Sequence, residues 1–251
     1  MKQKILAWCL YVLASIAVTP AFAEQALVAV AANFVPPFRE IAIEFEKSTS
    51  HQLQVAGGSS GNFYSQIKNG APFDVFFSAD MERPKLLEDE GFGVKDSRFT
   101  YAIGRLVLWS PNVDLIKGEE TLRSKKFKRL AIASPKTAPY GVAAMQALQK
   151  LELWESLQSQ IVMGESLGQT IGFIESGNAQ FGFVAVSQIL DPKIKGQGSH
   201  WDVPSNLHEP IKQDVILLTK GKDNQAAKAL LEFMGGPQAK AIIERYGYEL
   251  K

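Results

Sequence analysis

The sequence predicts an α/β fold of two lobes with a ligand cleft between them. Three observations carry this. Apolar, strand-like runs alternate with amphipathic helical patterns, the rhythm of sheets covered by helices. The alternation breaks off after residue 109 and restarts at Arg129. Finally, four short stretches stand where a strand-like run gives way to a helix: Ala32-Asn33, Gly57-Gly58-Ser59-Ser60-Gly61, Thr137-Ala138-Pro139-Tyr140-Gly141 and Gly164-Glu165-Ser166-Leu167-Gly168. Ligands of open α/β sheets sit beyond the carboxyl ends of strands, which is where all four fall. The first N–H groups of a helix lack intrahelical partners and carry the positive end of its dipole, so four such ends suit one anion without any Lys or Arg.

Taken in order, residues 26–31 read as a buried strand and 36–47 as a helix, with Phe38, Ile41, Ala42 and Phe45 on one face and Arg39, Glu40, Glu44 and Glu46 on the other. Pro36 and Pro37 suit its first turn. Strand 52–55, helix 61–69, strand 74–79 and a helical stretch at 83–90 follow, the βαβ rhythm of a parallel sheet. Residues 103–109 read as one strand. The second series has strands at 130–134, 160–163 and 181–186 and helices at 141–151 and 169–176. A Gly-, Pro- and His-bearing loop spans 191–210, then a strand at 214–219 precedes helices at 224–234 and 237–246. Chain order alone leaves open whether these last elements return to the first lobe.

Residues 1–23 read as a secretory signal: Lys2 and Lys4 form a basic start, residues 5–18 are apolar, and Ala21-Phe22-Ala23 is a small-x-small cleavage site. Export and cleavage after Ala23 are expected. The apolar stretch is short for a membrane span. Trp8 before Cys9, and the position of Cys9 ahead of most of the apolar run, argue against lipidation. Cys9 is the one cysteine in the 251 residues, so the processed chain offers no disulfide, thiolate nucleophile or cysteine-held metal. Without Lys2 and Lys4, 25 basic residues face 26 acidic ones. That balance gives no reason to expect nucleic acid or an acidic membrane as partner.

Taken one at a time, the junctions are weak signals. Gly57 to Gly61 permits close backbone approach and offers serine hydroxyls, yet it serves equally as a turn with a serine cap, and it lacks the GK[ST] element of a P-loop. Asn33 offers its amide and its N–H, or caps the helix that follows. Tyr140 either donates into the cleft or packs in a loop. Leu167 has only its backbone N–H to give. Hydrolysis by a serine nucleophile is the contrasting reading, but Ser60 is not in a G-x-S-x-G elbow, and His51, His200 and His208 fall in predicted turns or loops. His200 and His208 read as solvated and show no metal-ligand spacing. Asp74 and Asp80 read as strand-end or cap residues, and the phenylalanines as core.

Val28-Ala29-Val30-Ala31-Ala32-Asn33-Phe34, Gly58-Ser59-Ser60-Gly61, Ala71-Pro72-Phe73-Asp74-Val75-Phe76-Phe77-Ser78-Ala79-Asp80 and Ile211-Lys212-Gln213-Asp214 together resemble the periplasmic molybdate-binding proteins of ABC importers. The resemblance covers essentially the whole processed chain. It implies the type II periplasmic binding fold, with residues 24–104 and 211–251 forming lobe I, residues 105–210 forming lobe II, and two crossover strands between them. It implies a buried tetrahedral oxyanion, molybdate or tungstate, held by Asn33 and Ser60 from lobe I and by Tyr140 and the backbone of Leu167 from lobe II. Ala32 and Ser59 are neighbours placed to give backbone N–H groups.

The resemblance also implies a periplasmic monomer that is not an enzyme, has no cofactor and no direct protein–metal ligand, and delivers its ligand to a membrane permease and its ATPase. Many members carry serine in place of Asn33, and tyrosine where this chain has Ala185. A subset with Asn-Phe after the first strand is similar to this chain, and there a tyrosine at the position of Tyr140 supplies the donor. Another tetrahedral oxyanion, sulfate or phosphate, is the alternative ligand, and a secreted serine hydrolase the alternative class.

Overall fold

The computed structural model describes residues 23–250, so the expected signal segment lies outside the described residues apart from Ala23. The elements in chain order are β1 (Gln25–Ala31), α1 (Val35–Ser48), β2 (Gln52–Gly58), α2 (Ser60–Lys68), β3 (Val75–Phe77), α3 (Glu82–Asp89), β4 (Phe99–Gly104), β5 (Leu106–Ser110), α4 (Glu120–Arg123) and β6 (Leu130–Ala133). They continue with α5 (Pro139–Lys150), α6 (Trp154–Leu157), β7 (Ile161–Gly164), α7 (Leu167–Glu175), β8 (Phe181–Ala185), α8 (Val186–Ile189), β9 (Ser199–Asp202), β10 (Ile211–Leu217), α9 (Gln225–Gly235) and α10 (Pro237–Arg245).

Two five-stranded sheets result, in the orders β2-β1-β3-β10-β4 and β7-β6-β8-β5-β9. Both are mixed, which corrects the expectation of a parallel sheet. β1 runs parallel to β2 and β3, but β10 is antiparallel to β3 and β4. Likewise β6 runs parallel to β7 and β8, while β5 is antiparallel to β8 and β9. The reason lies in the crossovers. The chain leaves the first sheet at Gly104 and re-enters it at Ile211, its direct partner across the ladder, so departure and return occur at one end of the sheet. The return also answers what chain order left open, since β10 completes the first sheet.

The continuous apolar run at 103–109 proves to be two strands in two sheets, separated at Arg105. Periodicity has no way to mark a change of sheet within an unbroken apolar stretch. β9 falls in the expected loop 191–210: its half-exposed Ser-His-Trp-Asp lacks an apolar run, and β5 recruits it as an edge. His200 is therefore a strand residue. His208 is buried, with Nδ1 2.7 Å from the Glu209 carbonyl, and not solvated as expected. Asp74 and Asp80 act as the sequence suggested: their carboxylates accept the N–H groups of Leu27 and Arg83.

Each sheet is buried on both faces. Phe76 and Phe77 point to opposite sides of β3, as a two-residue repeat requires. Phe77 joins Phe34, Phe38, Ile41 and Phe45 under α1, α9 and α10, while Phe76 joins Phe63, Ile67 and Leu87 under α2 and α3. Burial of each such side chain is worth roughly 1.5–3 kcal/mol. In the second sheet, Leu130, Ile132, Leu148 and Phe183 pack around α5, and Ala131, Ile174 and Val184 pack on the other face. Phe34 has a special place: its ring lies 4.5 Å from Tyr101, 5.5 Å from Tyr248 and 5.8 Å from Phe77, centroid to centroid. This platform seats two tyrosines directly behind Asn33.

Candidate functional site

The four junctions meet. β1 ends two residues before Asn33, β2 feeds Ser59 and Ser60 into α2, β6 leads to Tyr140 in the first turn of α5, and β7 leads to Leu167 at the start of α7. Ser59 caps α2 by accepting from the Asn62 N–H at 3.4 Å, and Ser166 caps α7 by accepting from Gln169 at 3.3 Å. Pro139 opens α5, where its missing N–H costs nothing. The four starts enclose one cavity, lined among others by all six residues the sequence singled out: Ala32, Asn33, Ser59, Ser60, Tyr140 and Leu167. It is small, about 10 Å³ for the centre of a water-sized sphere, roughly the room for a single water molecule. No lining residue carries a charge.

Donors dominate the lining. The backbone N–H groups of Asn33, Ser59, Ser60, Tyr140 and Leu167 have no acceptor among the described residues. Ser60 Oγ accepts the Ala79 N–H at 2.9 Å, which seats the hydroxyl and leaves its own proton to give. Ala32 differs from expectation. Its N–H donates to the Gly58 carbonyl at 2.8 Å, continuing the β1–β2 ladder, so it lines the cavity without a donor. The Asn33 side chain is committed too, with Nδ2 donating to Gln213 Oε1 at 2.8 Å and to Tyr248 Oη at 2.9 Å.

The halves of the molecule touch across this cavity. Gly61 N–H donates to the Thr137 carbonyl at 2.8 Å, Ser187 Oγ to the Asn33 carbonyl at 2.7 Å, and Gln213 Nε2 to Tyr140 Oη at 3.2 Å. Tyr248 Oη reaches both the Asn33 carbonyl and Ser187. Burial raises the Tyr140 and Tyr101 phenols well above their ordinary value and raises Tyr248 as well, so all three are neutral donors. Nearby cations are engaged elsewhere. Arg83 pairs with Asp80, and Arg39 lies 3.9 Å from Asp191. Such a lining can hold a compact anion by neutral, charge-assisted hydrogen bonds. It is poorly equipped for hydrolysis: the nearest polar partner of Ser60 Oγ is a backbone N–H, and no histidine bonds to it among the described residues.

The groups behind the first layer were not selected by sequence reasoning. Gln213 and Asp214 are buried on β10 beside the exposed Lys212, and three consecutive polar residues in a strand whose other four are apolar were the available signal. Tyr248, beyond the last helix, gave none. The match to a family model confirms the class. Residues 26–249 fit the family described as bacterial extracellular solute-binding protein. The chain belongs to that family. Among curated relatives of this solute-binding chain, the molybdate-binding protein ModA of Azotobacter vinelandii is 52% identical over 231 residues, 91% of either chain. ModA of Rhodobacter capsulatus is 47% identical over 229 residues, 91% of this chain and 90% of that one. The solved Azotobacter vinelandii periplasmic molybdate-binding protein superposes with a TM-score of 0.87 at 41% identity, covering 90% of this chain and 99% of its own.

Proposed function

We propose that this protein is the periplasmic solute-binding component of an ABC importer and captures molybdate and tungstate. The observation that carries the reading is the convergence of four helix starts, with free N–H groups and neutral hydroxyls, on one small uncharged cavity. The kinship to two ModA proteins supports it. The donors toward the oxyanion are the N–H groups of Asn33, Ser60, Tyr140 and Leu167 together with Ser60 Oγ and Tyr140 Oη. Charge-assisted hydrogen bonds contribute roughly 1.5–3 kcal/mol each, so five or six offset desolvation and reach the ~8 kcal/mol of micromolar binding. A lining of donors disfavours an oxyanion that still carries a proton, because its O–H meets another donor. Sulfate, unprotonated like molybdate, is rejected by fit.

The same reading takes residues 24–104 and 211–251 as one lobe and 105–210 as the other, closing over the ligand as a monomer and presenting the closed form to a permease and its ATPase. It includes export with cleavage after Ala23, checked by the N-terminal sequence of the exported protein, and no enzymatic turnover. The deciding experiment is calorimetry of the processed protein with molybdate, tungstate, sulfate and phosphate. The first two are expected to bind alike and far more tightly than the others. Sulfate bound as tightly as molybdate overturns the assignment.

A further inference from the structure

Behind the cavity, Gln213 is fully buried on β10. Its Oε1 accepts from Asn33 Nδ2 at 2.8 Å and from Tyr101 Oη at 3.0 Å, and its Nε2 donates to Tyr140 Oη at 3.2 Å. A side-chain amide has one accepting end and one donating end. With two donors gathered on the carbonyl, the NH₂ is turned onto Tyr140. Turning the amide over would set NH₂ against the NH₂ of Asn33, leaving buried donors facing each other. Tyr140 Oη thus receives a hydrogen bond from Gln213, and Tyr248 Oη, which already accepts from Asn33 Nδ2, is the other hydroxyl within its reach. Tyr140 lines the cavity, so its proton, which Gln213 does not hold, can be given to a guest. Gly104 fits flush against this contact, where any Cβ would overlap both Tyr140 Oη and Gln213 Nε2.

We infer that Gln213 is a positioning residue that fixes Tyr140 as a hydrogen-bond donor toward the cavity, and thereby sets the preference of the site for fully deprotonated oxyanions. The inference rests on the oxyanion reading above. It names the group that decides donor from acceptor at a hydroxyl able to be either. A Gln213→Glu substitution keeps the oxygen that serves Asn33 and Tyr101 and converts only the donor end into an acceptor. The new carboxylate accepts a hydrogen bond from the Tyr140 O–H, and the still neutral Tyr140 then shows the cavity a lone pair. That lone pair loses an interaction with molybdate and gains one with the O–H of hydrogen phosphate.

The test is calorimetry on the exported, processed protein, with phosphate measured by competition, in a double-mutant cycle with Tyr140→Phe. In the Tyr140 background, Gln213→Glu is expected to lower molybdate affinity about 100-fold and to shift the molybdate-to-phosphate ratio at least ~10-fold toward phosphate. With Tyr140→Phe already in place, the same substitution is expected to cost about 10-fold less. Equal losses in the two backgrounds, or an unchanged ratio, overturn the inference while leaving the oxyanion reading intact. If wild type binds none of the anions, both fall. Should Gln213→Glu fail to fold by circular dichroism, Gln213→Met enters the same cycle. Its expected loss of about 10-fold shrinks when Tyr140→Phe is present, and the same loss in both backgrounds overturns the inference.

Discussion

The Gly61 N–H donates to the Thr137 carbonyl across 2.8 Å, tying the first turn of α2 to the loop before α5. A Cβ built on Gly61 would stand 2.9 Å from Thr137 Cα, backbone that has nowhere to move without parting the two halves. Glycine here serves close approach rather than an unusual backbone angle. Gly61→Ala is therefore expected to hold the cleft slightly open and weaken molybdate binding about 10-fold, chiefly through faster release. Thermal stability without ligand should change little, since alanine is the better helix residue. Stopped-flow release kinetics beside a melting curve check both halves. An unaltered release rate would mean that closure tolerates the extra methyl.

How much of this was legible in the sequence depends on which physical signal each residue carried. Phe38, Ile41 and Phe45 announced α1 by their spacing, and all three are buried in it. Asn33, Ser60 and Tyr140 were legible as polar groups at strand-to-helix junctions, and the structure brings them to one cavity. Ala32 was misjudged because an N–H one residue past a strand looks free in sequence, yet the parallel ladder runs on to claim it. β9 and the break at Arg105 were hidden because pairing with a distant strand, not local pattern, creates them. Tyr248 was invisible because its role depends on contacts with Asn33 and Ser187, 215 and 61 residues away in the chain.

Three buried phenols make the alkaline limb of the stability curve predictable. Burial holds Tyr101, Tyr140 and Tyr248 protonated above the ordinary value of 10.0. The folded chain then keeps protons that the unfolded chain releases. The stabilisation is complete below that value and is lost as pH rises through it, at about 1.4 kcal/mol per pH unit for each tyrosine still neutral in the fold. Urea unfolding between about pH 9 and 11 should show this steep decline, and Tyr248→Phe should make it shallower by roughly one proton's worth. A flat profile across that window would mean the phenols ionise in the folded state as they do in water.

Asp214 is fully buried on β10 beside Gln213, and its carboxylate accepts from Arg98 and, at 2.7 Å, from Thr100 Oγ1. The hydrogen bond to Asp214 leads the causes that raise the Arg98 pKa. The Arg98 side chain keeps 27% of its surface exposed, so Arg98→Ala should cost about 2–3 kcal/mol, below the 3–5 kcal/mol of a fully buried pair. Asp214→Asn in the same chain should recover part of that loss by removing the stranded charge. Denaturant midpoints of the unaltered chain, the single variant and the double variant check this. A double variant no more stable than Arg98→Ala would show that packing, not charge, accounts for the cost.

Leu167 offers the site only its backbone, and its place in α7 allows that to be tested by deletion of a single hydrogen. It is the first residue of the helix, and its N–H has no acceptor among the described residues. Ser166 before it is extended, with φ −149 and ψ 165, the conformation a following proline requires. Proline is favoured at this first helical position. Leu167→Pro should therefore keep α7 while removing one donor from the cavity. Leu167→Ala is the companion, since it loses similar packing in the core around α5 but retains the N–H. Calorimetry with molybdate should show the proline variant binding about 10- to 100-fold more weakly than the alanine variant, at similar melting temperatures. Equal affinities for the two would remove Leu167 from the donor set and leave the second half of the molecule holding the anion through Tyr140.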